Sequence, residues 1–160
     1  TGPSEAGRRR YSAYVAECSG QLVSLALLDR ECSVSDLQSQ YSLEDFILFT
    51  EHKPEHHVML RAFVVNPIFS KHSRFILKEI LRQQQTSCLY FKLRPDSIIP
   101  PVLNEFVQVK PRRRPESSAA LEEELAEQAM QMGKPPRRMP PVDGALYFLT
   151  RRLISEPKIV

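Results

Sequence analysis

Glycine is scarce: 5 in 160 residues, with none between Gly20 and Gly133. The long central stretch therefore lacks the residue that accepts positive φ freely and lets backbone come close to a phosphate. Long apolar runs are also missing. Nothing approaches the roughly eighteen residues of a membrane-spanning helix, and no segment has the form of a cleavable secretory signal. The 3 cysteines, Cys18, Cys32 and Cys88, show no C-x-x-C spacing. Odd in number and set in or beside apolar runs, they read as reduced, buried thiols in a cytosolic setting. The net charge of +3 is too small to argue for nucleic acid, and no aromatic–basic interleaving of the RNA-binding kind is present. Neither nucleic acid nor membrane is expected as a partner.

What is present is organised around Val58 to Leu93. Val58, Leu60, Ala62 and Val64 alternate with Met59, Arg61, Phe63 and Val65, a strand apolar on nearly both faces, as in the middle of a sheet. Asn66-Pro67 ends it, because proline supplies no ladder donor. Ser70 is a candidate N-cap for a helix to about Gln84, with Ile76, Leu77, Ile80 and Leu81 as its apolar stripe. Cys88 to Leu93 follows as a second short strand. A strand–helix–strand unit of this length predicts a parallel crossover.

The remaining chain is expected to build around that unit. Residues 1–10, ending in Arg8, Arg9 and Arg10, read as a flexible arm. Residues 11–109 read as the core. Within it, Tyr11 to Cys18 and Gln21 to Leu28 form a hairpin through Ser19-Gly20. Ser33 to Tyr41 predicts a short helix capped by Ser33 or Ser35. Asp45 to Thr50 reads as a strand leading through the polar loop Glu51 to His57 into the Val58 strand. Leu103 to Val109 reads as another strand. Residues 110–144 carry proline, arginine and glutamate, and form an exposed insertion with one marginal helix from Ala119 to about Met132, striped by Leu121, Leu125, Ala129 and Met132. Residues 145–160 return to the sheet with a strand from Ala145 to Ile154. Lys158-Ile159-Val160 resembles the start of a further strand, so another domain is expected beyond. The predicted class is α+β (mixed α/β): six or seven mostly antiparallel strands, one parallel β-α-β crossover and two helices.

Several residue groups invite chemistry. His52, His56 and His57 with Glu51 and Glu55 have metal-ligating side chains, but a short polar hairpin loop accounts for them as well and adjacent histidines on a strand point to opposite faces, so no metal is expected. Arg61, inside an apolar strand, calls for a buried carboxylate such as Glu44 or Asp45, or for a partner protein. Arg112, Arg113, Arg114, Arg137 and Arg138 are the candidate partner-binding residues. They suit acidic neighbours, or a solvated segment. The helix between these clusters is acidic and thus a poor calmodulin target.

Val65-Asn66-Pro67, the helix from Ser70 to Gln84 and the strand Cys88 to Leu93 together resemble the core of the GCN5-related N-acetyltransferase fold. In that family the loop after Val-x-Pro has the form Arg/Gln-x-x-Gly-x-Gly/Ala, and its amides hold the coenzyme A pyrophosphate. Ser70 stands at the arginine position, Ser73 at the first glycine and Phe75 at the last small residue. The resemblance thus carries over a twisted mixed sheet but no cofactor, and Pro100-Pro101 occupies the region of the usual catalytic tyrosine, so no catalytic residue carries over either.

A second resemblance covers most of the chain. Tyr41 to Ile47, Phe63 to Phe69, Phe75 to Arg82, Ser87 to Tyr90 and Ala145 to Leu153 are similar to a family of ciliary axonemal proteins. That resemblance implies a place at the base of a radial spoke, in the calmodulin- and spoke-associated complex, among axonemal and radial-spoke proteins. It also implies a role in assembly and motility of cilia and sperm flagella, with a dinucleotide-binding-like domain next along the chain. The expectation is a non-catalytic interaction module, set against an active acyltransferase or an accessory domain of a dinucleotide-dependent oxidoreductase.

Overall fold

A computed structural model describes residues 9–112, 116–133 and 144–157. The arm before Arg9, Arg113, Arg114, Arg137, Arg138 and the final Lys158-Ile159-Val160 lie outside the described residues. Strands β1 (Tyr11–Cys18), β2 (Gln21–Asp29), β3 (His57–Val65), β4 (Cys88–Leu93), β5 (Val107–Val109) and β6 (Ala145–Thr150) form one sheet in the order β1-β2-β3-β4-β6-β5. Helices α1 (Val34–Gln40), α2 (Ser73–Gln83), α3 (Glu116–Gln131) and α4 (Arg151–Ser155) complete the α+β class, with β3–β4 the parallel pair. The β1–β2 hairpin closes through Ser19 and Gly20, both at positive φ (51° and 75°), as a two-residue turn matching strand twist requires.

The sheet has a core on each side. On one face, Ile76, Leu77, Ile80 and Leu81 of α2 pack with Leu28, Leu60, Leu89, Leu103 and Leu149. On the other, Leu37 of α1 and Tyr41, Leu43 and Ile47 cover Met59, Tyr90, Leu146 and Phe148. Two arginines lock the edges of α2. Arg151 donates to the carbonyls of Leu81 and Thr86, 2.8 Å each, at the C-terminal end of α2, where cations are favoured. Arg74 pairs with Glu105 at 2.8 Å and donates to the carbonyl of Leu153. The glycine shortage shows at the end of α2. Thr86 N–H bonds the carbonyl of Leu81 and Gln85 N–H that of Arg82, the closing pattern in which glycine is usual, and Gln85 takes the left-handed position at φ 53°.

Strand β3 departs from simple alternation. Its register with β2 runs Leu28↔Leu60, then Leu27↔Ala62, so Arg61 is an extra, bulged residue. A bulge shifts the side-chain phase by one. Val58 and Leu60 face α2, and after the bulge Phe63 and Val65 do so, leaving Val64 outside at 63% exposure. The expected both-faces burial of this strand therefore holds only for His57 to Leu60.

Other elements depart from the sequence reading for local reasons. Asp45 to Thr50 is no strand. The carbonyl of Leu43 accepts the amides of both Phe46 and Ile47 at 3.0 Å, and the buried residues, Leu43 and Ile47, are four apart, a helical rather than a strand spacing. Tight turns at Leu43–Asp45 and Phe49–Glu51 result. Of the expected Leu103 to Val109 strand only Val107–Val109 pairs, because Pro101–Glu105 coils into a turn beneath the core. The Ala145 to Ile154 strand stops at Thr150, whose hydroxyl accepts Leu153 N–H and starts α4. Helix α3 begins at Glu116, before the predicted Ala119. Ser33 caps α1 as expected, but Ser70 does not cap α2, which is entered from a 3-10 turn at Pro67–His72. Cys88 is buried and Cys32 half-buried, whereas Cys18 is exposed because it sits at the hairpin tip.

Deleting Arg61 removes the extra residue and sets Leu60 and Ala62 side by side opposite Leu28 and Leu27, so Phe63 and Val65 stay on α2 and the deletion variant should keep a cooperative thermal transition, at a lower midpoint for loss of the pair with Asp29. Arg61→Ala keeps the bulge and should lose only about 1–2 kcal/mol by urea denaturation. Gln85→Gly should raise stability by roughly 0.5–1 kcal/mol, seen as a higher urea midpoint at unchanged slope.

Candidate functional site

The loop after β3 is where the acetyltransferase resemblance would place a cofactor. Asn66 ends the strand, and its Oδ1 accepts the amide of Ile68 at 3.2 Å while its carbonyl accepts the amide of Phe69 at 2.8 Å. The amide of Ser73 goes to the carbonyl of Ser70, which also accepts the Ser73 hydroxyl at 2.7 Å. These amides are spent within the loop. In an anion site they would point outward, unpaired. Ser70 is exposed and Ser73 buried. Phe75, 65% exposed, forms part of the wall of a cavity of about 220 Å³ between α2 and the hairpin, with Tyr14, Glu17, Glu79 and Gln83. One feature of a cleft is present. β3 and β4 pair only through His57–Met59 and Cys88–Tyr90, and their C-terminal halves part.

Arg61 has a partner, but not the one the sequence indicated. It bonds Asp29 of β2 through Nε (3.1 Å) and a terminal nitrogen (2.8 Å). Arg10 donates twice to the same carboxylate, at 3.2 Å each, and Glu31 N–H adds a further bond at 3.1 Å. Burial alone pushes the fully buried Asp29 carboxyl up; the hydrogen bonds from Arg10, Arg61 and the Glu31 amide outweigh it and hold the carboxyl below its usual range. Glu44 pairs instead with Arg112, whose Nε also donates to the carbonyl of Gln38 at 2.6 Å. Together with the Tyr41↔Pro111 bridge and the Arg112 N–H bond to Gln40, this ties the start of the insertion to the end of α1. Asp29 was missed because its only sequence sign is a carboxylate closing an apolar strand.

The histidines take separate tasks. His57 Nδ1 shares a 2.8 Å hydrogen bond with Tyr90 Oη, and its ring stacks on Phe49 and Tyr90. His52 Nδ1 meets Ser87 Oγ at 2.8 Å and sets its ring edgewise to His57. Among the described residues no three His, Cys, Asp or Glu side chains converge as a metal set. Burial, with smaller contributions from His52 and His56, pushes the His57 pKa down to about 4. Burial likewise raises the Tyr90 hydroxyl and pushes the Cys32 and Cys88 thiols up to about 11. A thiol so raised is a poor nucleophile at neutral pH. No helix among the described residues is long and apolar enough to cross a membrane.

No family model matches the chain. It is 33% identical over 106 residues, 66% of its length, to the cilia- and flagella-associated protein 61 of Tetrahymena thermophila. The chain spans about 6% of the length of that relative.

His57 gives the fold a pH dependence with a defined sign. Its folded pKa lies below the unfolded value, so the unfolded chain binds the extra proton. The stability this group contributes is complete above about pH 6.5 and is lost as pH falls toward about 4. Urea denaturation should show a loss of about 2 kcal/mol between roughly pH 7.5 and pH 5, and His57→Gln should flatten that dependence.

Proposed function

Since the chain is a cilia- and flagella-associated protein 61-like segment, we propose that it is a non-catalytic structural module of the ciliary or flagellar axoneme. It acts within an assembly at the radial-spoke base, alongside subunits of the calmodulin- and spoke-associated complex, and supports cilium and sperm-flagellum assembly and motility. The observation that carries the ciliary reading is the 33% identity over 106 residues to a protein whose name places it with cilia and flagella. Supporting the non-catalytic reading is the loop from Asn66 to Phe75. Its amides close on Asn66 and Ser70, it lacks glycine, and Ile68 and Phe75 stand exposed where a pyrophosphate would have to approach the backbone.

The splayed ends of β3 and β4 favour the acyltransferase as the second reading. Titration calorimetry of the chain with acetyl-coenzyme A separates the two. The structural reading expects no saturable heat into the millimolar range; micromolar binding would overturn it. An antibody to the chain should decorate demembranated axonemes at a regular axial spacing, and absence from them would remove the ciliary reading.

A further inference from the structure

Strand β1 is an edge of the sheet, and from Tyr11 to Ala16 it carries none of the usual devices that keep edges apart; the one ladder irregularity, between Ala16 and Glu17, lies beside the hairpin turn. Its sequence, Tyr11 to Cys18, contains no proline or lysine, and its one charge is Glu17. Arg30 N–H bonds the carbonyl of Arg10 at 2.8 Å, which fixes the alternation. Ser12, Tyr14 and Ala16 turn their backbone groups to β2, and Tyr11, Ala13 and Val15 turn theirs to the open edge. The side chains of these same outward-bonding residues lie on the face opposite α2. There they continue two cross-strand rows, Val15–Leu25–Val64 and Ala13–Leu27–Ala62. Val15 is 55% exposed, Leu25 43% and Leu27 36%. The edge and the apolar face thus end on the same residues.

We propose that β1 pairs antiparallel with β1 of a second copy of this chain, with Ala13 facing the partner's Ala13 on the two-fold axis. The occupant follows from self-complementarity. In this register Tyr11 stands opposite the partner's Val15, an aromatic–β-branched pair, and Arg9 stands opposite the partner's Glu17, an ion pair, each made twice. The pairing satisfies the outward amides and carbonyls of Tyr11, Ala13 and Val15 and extends the apolar rows across both molecules. The interface is small, so association is reversible and concentration-dependent. It does not rest on the axonemal reading.

Sedimentation velocity of the 160-residue chain under reducing conditions, which silence the exposed Cys18, tests this. The chain should shift from monomer to dimer with rising concentration. Val15→Lys puts a charge into the seam, and Ala13→Pro removes an outward amide while sparing the β2 ladder; each should abolish the dimer. Melting curves of the dilute variants confirm that they fold. Arg9→Glu should weaken the dimer, and the exchange Arg9→Glu with Glu17→Arg should restore it. A chain that stays monomeric at its solubility limit overturns the proposal. So does a dimer that survives Val15→Lys and Ala13→Pro, or one that the charge exchange fails to restore; either of these would assign the contact to another surface or register.

Discussion

A single extra residue in the third strand sets much of this molecule. At Arg61 the ladder with β2 slips by one, and the strand changes which residues it gives to α2. Without the slip, the helix would meet Ala62 and Val64; with it, it meets Phe63 and Val65. The bulged side chain is then held by the fully buried carboxylate of Asp29, which also takes Arg10 and the Glu31 amide. A buried carboxylate with one donor would be costly. With two arginines and a backbone amide donating to it, the carboxylate becomes a fixed point joining the first three strands.

The two faces of the sheet are finished differently. Over β4, β6 and the start of β3, both faces are covered, by α2 and the Pro101–Glu105 turn on one side and by α1 with Tyr41, Leu43 and Ile47 on the other. Over β1, β2 and the end of β3, the second face presents Val15, Leu25, Leu27 and Val64 to solvent. These exposed apolar residues are the ones that the proposed pairing of β1 would extend across two molecules. The loop at the same end of β3 has closed its amides on itself.

Much of this was legible in the residues. The β1–β2 hairpin, the parallel unit from β3 through α2 to β4, and the Ser33 cap follow from alternation, helical spacing and turn chemistry, which act locally. What escaped depends on contacts distant in sequence or on ambiguous runs. Phe46 to Phe49 is apolar at every position, so periodicity could not separate a strand from the turns that form. Thr150 is a good strand residue that serves here as a helix cap. The bulge leaves no local mark except a charge in an apolar strand, and Arg61 was noticed for that charge. Its partner lies thirty-two residues away, beyond any local rule, and the nearer carboxylates Glu44 and Asp45 drew the assignment. The glycine shortage, by contrast, pointed to a loop closed to phosphate contact, and its other consequence, a glutamine in a left-handed cap, became visible only in the backbone angles.

The most direct measurement of the account is a density map of this segment within an intact axoneme, at a resolution that shows side chains. Protein density from a neighbouring chain should lie against the sheet face or edge built by β1, β2 and β3, with only solvent beside Asn66 to Phe75. A nucleotide-thioester density lying along that loop, with the sheet face left bare, would contradict it.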